Sequence, residues 1–267
     1  MRKRIFQILT LIFVFSCSAN HESITIRTSE IGKTQGLEPK TYQTKNFKIF
    51  TLQKISDKNK PIRIYLEGDG RAFLNKSLAS ANPTPTSYFL INLIKEDESP
   101  NLIYIARPCQ YLNDQNCEKK YWTSDRFSAK ISDSINEVLQ NFSAQKLELI
   151  GYSGGGAIAK YLAVKNQNVV SLRTIAGNLE QQKFAEIHRV KILYEALTHQ
   201  DLEVLAAIPQ IHFVGSEDKI IPPIIAQTYL EKLPQKNCAK IIQIKKATHY
   251  KGWDQDWRKL LEIEPSC

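Results

Sequence analysis

The sequence predicts an α/β protein with a mainly parallel central sheet, helices on both faces of the sheet and a small helical cap. From Asn46 onward, short apolar runs rich in Ile, Val, Leu and Tyr alternate with longer segments of helical period. This alternation is typical of parallel strands joined by crossover helices. The chain has 267 residues, 42% of them hydrophobic and 24% charged, which suits one large globular domain.

Each predicted element follows from this alternation. The predicted strands are Phe47–Leu52, Ile62–Glu67, Leu102–Ala106, Leu147–Ile150, Val170–Ile175, Gln210–Val214 and Ile241–Ile244. The predicted helices are Ser87–Lys95, Ser124–Phe142, Gly155–Asn166, Pro223–Leu233 and a last one near Asp254–Ile263. Ser124 followed by Asp125 predicts a helix start, because a serine N-cap and an acid in the first turn both stabilise that end. The segment from Asn178 to Ile208 looks helical and is long enough to form the cap.

The first sixteen residues predict a secretory signal peptide. Arg2, Lys3 and Arg4 precede an apolar run, Ile5 to Phe15, which is interrupted only by two polar residues. A basic head before about a dozen apolar residues is typical of such a signal and is too short to span a bilayer stably. We therefore expect the chain to be exported.

The end of this signal resembles a bacterial lipobox. Val14, Phe15 and Ser16 precede Cys17, which would become the first residue of the mature protein and carry lipid. Without Cys17, four cysteines remain, an even number that suits disulfides in an oxidising compartment. We expect a lipoprotein of the periplasm or cell envelope, bound to the membrane through Cys17, with plain secretion as the alternative.

The domain boundaries follow from the change of composition. Residues 1–16 are the predicted signal peptide, residues 17–45 a polar tether with a short strand at Ile24–Arg27, and residues 46–267 the catalytic domain. The net charge of +9 falls to +6 once the three basic residues of the signal are removed. The remaining Lys and Arg are scattered along the chain, so no nucleic-acid-binding surface is predicted, and anionic surfaces are favoured only weakly.

The segment LELIGYSGGGAIAKYLA (147–163) predicts the nucleophile. An apolar strand enters Gly151-Tyr152-Ser153-Gly154-Gly155, and a helix of small residues follows directly. A nucleophile elbow requires a strand, a tight turn that holds the serine at strained backbone angles and an immediate helix. The glycines leave room for such a turn. A glycine-rich turn with a surface serine is the alternative interpretation.

A serine hydroxyl needs a base, and the base needs a group that orients it. In proteins with this elbow, the acid and then the histidine follow the serine along the chain. Asp218 comes after a late strand and His249 after the last strand, so both are expected at the sheet edge where Ser153 lies. Glu217 and Glu180 are the competing acids. His212, inside a strand, is expected to be packed or solvent-facing.

The oxyanion of a tetrahedral intermediate needs two hydrogen-bond donors. One is expected to be the N–H of Gly154, and the other an N–H of Asp69 or Gly70 in the glycine-containing loop after an early strand. The Asp69 side chain is expected to cap that loop, since a carboxylate would repel the oxyanion. Arg126 is expected either to be buried against a carboxylate or to be solvated.

Several segments together resemble the α/β-hydrolase superfamily and, within it, a group of uncharacterised bacterial hydrolases. They are YLEGDG (65–70), NPTP (82–85), ARPCQY (106–111), YWTSDRFS (121–128), GYSGGGAIA (151–159), TIAGNLE (174–180) and GW (252–253). The resemblance implies an α/β-hydrolase fold, Ser153 as the nucleophile and His249 as the base. It implies no substrate.

The four remaining cysteines permit three pairings. Proximity in sequence favours Cys109 with Cys117 and Cys238 with Cys267, and no Cys-x-x-Cys motif predicts a metal site. The three tryptophans are interpreted either as packing residues or as the lining of an acyl pocket.

The sequence thus predicts a serine hydrolase that acts by acyl transfer on an ester or thioester through Ser153, His249 and Asp218. No metal or organic cofactor is implied, and the expected partner is a small acyl substrate. The alternatives are an acyltransferase of the same fold and a lipid-anchored envelope protein that binds ligands without catalysis.

Overall fold

The computed structural model describes residues 22–75, 77–193 and 197–267. A single sheet of eight strands organises them. The strands are β1 (Glu38–Gln43), β2 (Lys48–Ile55), β3 (Ile62–Leu66), β4 (Asn101–Ile105), β5 (Leu147–Tyr152), β6 (Val169–Ile175), β7 (Gln210–Gly215) and β8 (Ala239–Ile244). All seven predicted strands are present, with ends that differ by up to three residues.

The sheet is mainly parallel, as predicted. Its strand order is β1-β2-β4-β3-β5-β6-β7-β8. The β1–β2 and β2–β4 pairings are antiparallel, and the pairings from β4 through β3 to β8 are parallel. The carboxyl ends of the parallel strands therefore meet at one edge of the sheet.

Helices cover both faces of this sheet. They are α1 (residues 22–33), α2 (Phe89–Ile94), α3 (Ala129–Gln140), α4 (Gly154–Lys165), α5 (Gln181–His188), α6 (His199–Ala206), α7 (Ile224–Lys232) and α8 (Trp257–Leu261). Strand side chains alternate between the two faces: Ile62, Ile64 and Leu66 pack with α3 and α4, whereas Tyr65 packs with α2 and α8. None of the helices in the described ranges combines the length and apolarity needed to cross a membrane.

The structure covers only part of the N-terminal region for which predictions were made. The predicted signal peptide and Cys17 lie outside the described residues. Residues 22–45 form α1 and β1 rather than a tether, so the short strand expected at Ile24–Arg27 is wrong. Thr28 and Ile31 of α1 are buried. β1 pairs along β2 with mostly exposed side chains.

Helix α3 begins five residues later than predicted. A 3₁₀ turn over Lys119–Trp122 and a run of turns precede it, and Ser128 rather than Ser124 is the residue before its first turn. The Ser124 hydroxyl donates instead to Asp125, so the predicted N-cap is wrong. The predicted cap contains the two short helices α5 and α6.

Two disulfides join the four described cysteines in the expected pairing. Cys109–Cys117 closes a loop of eight residues after β4, with a Cα–Cα distance of 5.6 Å. Cys238–Cys267 connects the segment before β8 to the C-terminal residue. The first bridge lies in the segment that packs beneath the site described next.

Candidate active site

The predicted catalytic side chains come together at the carboxyl edge of the sheet. Ser153 directly follows β5, Asp218 follows β7 by three residues, and His249 follows β8 by five. In open parallel sheets this edge is where sites form, because several strand ends and their loops meet there. The chain order is serine, aspartate, histidine, as the sequence predicted.

The turn at Ser153 has the strained geometry of an elbow. Ser153 has φ 51° and ψ −120°, a backbone conformation that L-residues rarely adopt. The backbone N–H of Ser153 donates to the Ile175 carbonyl at 3.0 Å, and the N–H of Asn178 donates to the Ser153 carbonyl at 2.9 Å. The turn is tight because a Cβ at Gly151 would lie 2.5 Å from the Gly155 carbonyl oxygen. These contacts hold the serine side chain at the open end of β5.

A chain of short hydrogen bonds joins the three side chains. Ser153 Oγ lies 3.0 Å from His249 Nε2, and His249 Nδ1 lies 2.8 Å from Asp218 Oδ2. When Nδ1 carries the ring proton and donates to the carboxylate, Nε2 is free to accept the serine proton. The arrangement can therefore transfer a proton from the serine hydroxyl to the imidazole.

Both partners of the serine are buried and fixed by further hydrogen bonds. Asp218 is 3% exposed and His249 4% exposed. Asp218 Oδ1 accepts the N–H groups of Ile220 and Ile221, each at 2.8 Å. The Tyr152 hydroxyl donates to the His249 carbonyl at 3.1 Å. Each ring or carboxylate is thus held in one orientation, as a proton relay requires.

The competing residues lie elsewhere. His212 is buried in β7, where its ring contacts Thr174 and Gln210, and burial lowers its pKa to about 3. Glu217 is exposed beside Asp218. Glu180 caps α5 and pairs with Lys232 at 2.9 Å. None of these three takes part in the hydrogen-bonded chain.

The loop after β3 lies directly beside Ser153. A Cβ at Gly68 would be 3.2 Å from Ser153 Cβ and 3.2 Å from the Tyr152 carbonyl. Gly70 has φ +61° and turns the chain against Pro83. The Asp69 carboxylate lies against Gly154, leaving no room there for a Cβ. The structure therefore brings together Gly154 and the 68–70 loop, where donors for an oxyanion were predicted.

Two buried arginines hold the Asp69 carboxylate. Arg107 Nη1 is 3.2 Å from Asp69 Oδ1, and Arg126 Nε is 2.9 Å from Asp69 Oδ2. Arg107 also donates to the Arg126 carbonyl, and both guanidinium groups lie against the ring of Phe127. Desolvation lowers the pKa of Arg107. Asp69 thus ends in an ion-pair cluster, and Arg126 is buried against a carboxylate, one of the two expected outcomes.

A second set of buried polar groups fixes the same loop from below. Glu67 Oε1 accepts the Gly68 N–H at 2.8 Å, and Glu67 Oε2 accepts the Tyr104 hydroxyl at 2.7 Å. Gln110 Nε2 donates to the Gly68 carbonyl at 3.1 Å. Burial raises the pKa of Glu67 to about 7. The roles of Glu67, Arg107 and Gln110 were not predicted, although each lies in a segment that carries the family resemblance.

The remaining sequence candidates have structural roles. Trp253 and Trp257 are fully buried in the core, and Trp122 Nε1 donates to the Ser80 carbonyl. In the described ranges, no three His, Cys, Asp or Glu side chains are grouped so that they could hold a metal ion.

The sequence matches no protein-family model, and no curated protein matches it. Solved structures do match, at low identity. A serine hydrolase from Cycloclasticus zankles has a TM-score of 0.61 and 13% identity, over 85% of this chain and 97% of that one. An α/β serine hydrolase homologue from Coxiella burnetii has a TM-score of 0.56 and 15% identity, over 84% and 95%. A bacterial membrane phospholipase A has a TM-score of 0.55 and 12% identity, over 98% of both chains. Together with the sheet order and the turn at Ser153, these likenesses show that the chain has the α/β-hydrolase fold.

Proposed function

We propose that the protein is a serine hydrolase that cleaves a carboxylic ester or thioester through an acyl-enzyme. The observation that carries the proposal is the hydrogen-bonded chain from Asp218 through His249 to Ser153 at a strained elbow. The similar structures described as serine hydrolases and as a phospholipase support the same class of reaction.

In the first half of the reaction, Ser153 Oγ attacks the carbonyl carbon while its proton moves to His249 Nε2. The C=O electrons move onto the carbonyl oxygen, which becomes the oxyanion of the tetrahedral intermediate. The intermediate collapses as the bond to the leaving group breaks, and His249 Nε2 gives its proton to the departing alkoxide or thiolate. In the second half, water attacks the acyl-enzyme by the same route and restores Ser153. Asp218 orients the imidazole and stabilises its charged form.

The oxyanion would be bound by backbone groups. Gly154 is the first residue of α4, where N–H groups have no acceptor within the helix. For the second donor we assign the N–H of Asp69, because Gly68 packs directly against Ser153 and Gly70 turns away toward Pro83. The positive end of α4 adds to the stabilisation of negative charge at this point.

We also propose that the protein is exported and anchored in a membrane through lipid on Cys17. The disulfides Cys109–Cys117 and Cys238–Cys267 support export, because such bonds persist in oxidising compartments. In cells grown with radiolabelled palmitate, wild type is expected to incorporate the label and a Cys17→Ala variant to remain unlabelled. Equal labelling of the two would contradict the anchor.

A fluorophosphonate probe, which reacts only with an activated serine, tests the catalytic proposal. Wild type is expected to be labelled and Ser153→Ala to remain unlabelled. Ser143→Ala, which removes an exposed serine before the opposite end of β5, is the matched control and is expected to label like wild type. Folding of each variant is checked by its thermal unfolding curve. Absence of labelling in the folded wild type would overturn the proposal and favour a non-catalytic binding protein.

A further inference from the structure

Most exposed large apolar side chains of the described residues lie on segments that follow the carboxyl ends of parallel strands, the ends where Ser153 also lies. Eleven such side chains are exposed, and eight of them lie close after β3, β7 and β8 or at the end of α5, which follows β6. The other three lie apart: Ile26 is on α1, Val204 is on α6, and Ile192 lines a cavity beside α4 and α7. We call the eight, with the loops that carry them, the rim. Its apolar members are Phe73, Leu74, Leu78, Ile187, Val190, Ile220, Ile224 and Tyr250.

Direct contacts connect the rim to the catalytic side chains. The Ile220 N–H donates to Asp218, and the Ile220 carbonyl lies 2.8 Å from His188 Nε2 at the end of α5. The Tyr250 ring lies 4.8 Å from that of His249. These contacts join the segments after β6, β7 and β8 around one side of the site.

The fourth rim segment is a short hairpin that begins just after the 68–70 loop. Phe73 and Ala79 form a β-bridge, and the Leu74 N–H donates to the Leu78 carbonyl at 2.8 Å. The exposed fractions of Leu74 and Leu78 are 49% and 54%. This bridge and this hydrogen bond therefore hold the apolar side chains of Phe73, Leu74 and Leu78 in the solvent beside the 68–70 loop.

Basic residues alternate with the apolar ones along the rim. Exposed Arg189 and Lys191 flank Val190, exposed Lys219 precedes Ile220, and exposed Lys251 follows Tyr250. Arg71 is exposed just before the hairpin. On these segments the exposed acids are Glu186, Glu217, Asp254 and Asp256, and Glu186 pairs with Lys183 at 2.6 Å. They are outnumbered by the exposed cations, which also include Lys245 and Lys246. The rim thus has an excess of positive charge.

We propose that the rim docks on an anionic phospholipid bilayer and presents Ser153 to esters of the lipids in it. This inference rests on the proposed function and names its substrate class. Two interactions bind proteins at a bilayer surface. Apolar side chains insert among the acyl chains, and neighbouring cations attract the anionic headgroups. Each of the four segments carries an exposed cation near its apolar residues, which matches the anionic headgroups of such a bilayer.

Sedimentation with vesicles tests the docking surface. Vesicles of phosphatidylglycerol and phosphatidylcholine in equal parts are compared with vesicles of phosphatidylcholine alone. All chains carry Cys17→Ser, so that lipid on Cys17 contributes nothing and any affinity of the N-terminal residues is common to every chain. The apolar variant is Leu74→Ser/Leu78→Ser, and the charge variant is Arg189→Gln/Lys191→Gln.

The control, Ile26→Ser/Val204→Ser, removes two exposed apolar side chains that lie outside the rim. The parent and the control are expected to bind the anionic vesicles alike. The apolar variant should bind on the order of tenfold more weakly. The charge variant should lose on the order of fivefold for each cation, and only on the anionic vesicles.

Equal binding by the parent and both rim variants would overturn the docking surface, as would an equal loss in the control. Hydrolysis of a short, water-soluble ester is measured on the same chains, and all of them are expected to hydrolyse it at the parental rate. Absence of that hydrolysis in the parent would refute the proposed function itself. Hydrolysis of the soluble ester without rim-dependent vesicle binding would refute the docking inference alone.

Discussion

Arg126 Nε lies 2.9 Å from Asp69 Oδ2, and the carboxylate that it holds lies against Gly154, the residue after the elbow serine. A lone carboxylate at this position would raise the energy of an oxyanion bound to the Gly154 N–H. Arg107 pairs with the other oxygen of the same carboxylate. The two guanidinium groups and the Asp69 carboxylate have a net charge of +1 beside the proposed oxyanion site, so these three groups together favour negative charge there.

Loss of Arg126 is therefore expected to slow acylation, because the Asp69 carboxylate would then keep only one guanidinium partner. Arg126→Gln leaves the cluster with a net charge of zero, and we expect kcat/KM for a soluble ester to fall on the order of tenfold to a hundredfold. The double variant Asp69→Asn/Arg126→Gln restores the net charge of +1. It is expected to recover most of the lost kcat/KM, which steady-state kinetics on the single and double variants would show.

A purely structural role for Arg126 makes the opposite prediction for the double variant. Two changes in one buried cluster would then lower stability and activity at least as much as one. Thermal unfolding midpoints of the same proteins separate the two cases. A double variant no more active than Arg126→Gln, at an equal midpoint, would refute the electrostatic account.

Asp218 is expected to matter for kcat far more than its neighbour Glu217. In Asp218→Asn, an amide N–H faces His249 Nδ1, which favours the tautomer with the proton on Nε2 and removes the acceptor for the serine proton. We expect kcat/KM to fall by about 10²–10⁴-fold. Glu217→Gln, which changes an exposed acid one residue away, is expected to stay within about twofold. Equal effects of the two changes would contradict the assignment of the acid.

The sheet was predictable because its central strands are buried on both faces. Strands buried on both faces consist mostly of apolar residues, as in Ile62–Leu66 and Leu147–Tyr152, so the sequence alone reveals them. The edge strand Glu38–Gln43 buries only Tyr42 of its six side chains, so no apolar pattern marked it. In α1, Ile24, Ile26 and the intervening Thr25 have the appearance of a strand, but the segment is helical and buries Thr28 and Ile31 instead.

The meeting of Ser153, Asp218 and His249 was predictable because each residue follows a recognisable strand. The support of the 68–70 loop was not, because it depends on contacts between distant segments. Arg107 and Arg126 reach Asp69 across 38 and 57 positions of sequence, and no local pattern encodes such a meeting. Arg126 lies in a turn before α3, and from that turn its side chain donates to the Thr123 carbonyl. A helix that began at Ser124 would have removed this turn, so the position of Arg126 depends on the late start of α3.

Glu67 is expected to make stability depend on pH. Burial raises its pKa from 4.5 to about 7, while Tyr104, the Gly68 N–H and Arg107 act in the opposite direction. Between these two values the folded state binds more protons than the unfolded state, so the free energy of unfolding falls as pH rises through this window. The full loss amounts to roughly 3 kcal/mol above pH 7.

Glu67→Gln removes this titration and keeps an oxygen that can accept the Tyr104 hydroxyl. Urea unfolding of both proteins at pH 5 and at pH 8 measures the difference. The variant is expected to gain stability relative to wild type on going from pH 5 to pH 8. A constant difference between the two proteins at both pH values would show that Glu67 does not titrate in this range.

The two disulfides are expected to differ in their effect on activity. Cys109–Cys117 closes the segment that contains Gln110 and follows Arg107, both of which hold the 68–70 loop. Cys109→Ser/Cys117→Ser should lower the free energy of unfolding by about 2–3 kcal/mol and also reduce kcat/KM, since the supports of the 68–70 loop gain freedom.

Cys238→Ser/Cys267→Ser should lower the free energy of unfolding by about 3–4 kcal/mol, because it opens a longer loop. That second bridge lies before the start of β8, at the opposite end of the strand from His249, so at a temperature where the variant remains folded its kcat/KM should equal that of wild type. Chemical unfolding and ester kinetics on both variants give the comparison. Equal losses of activity would mean that the first bridge acts only through global stability and does not position Gln110 and Arg107.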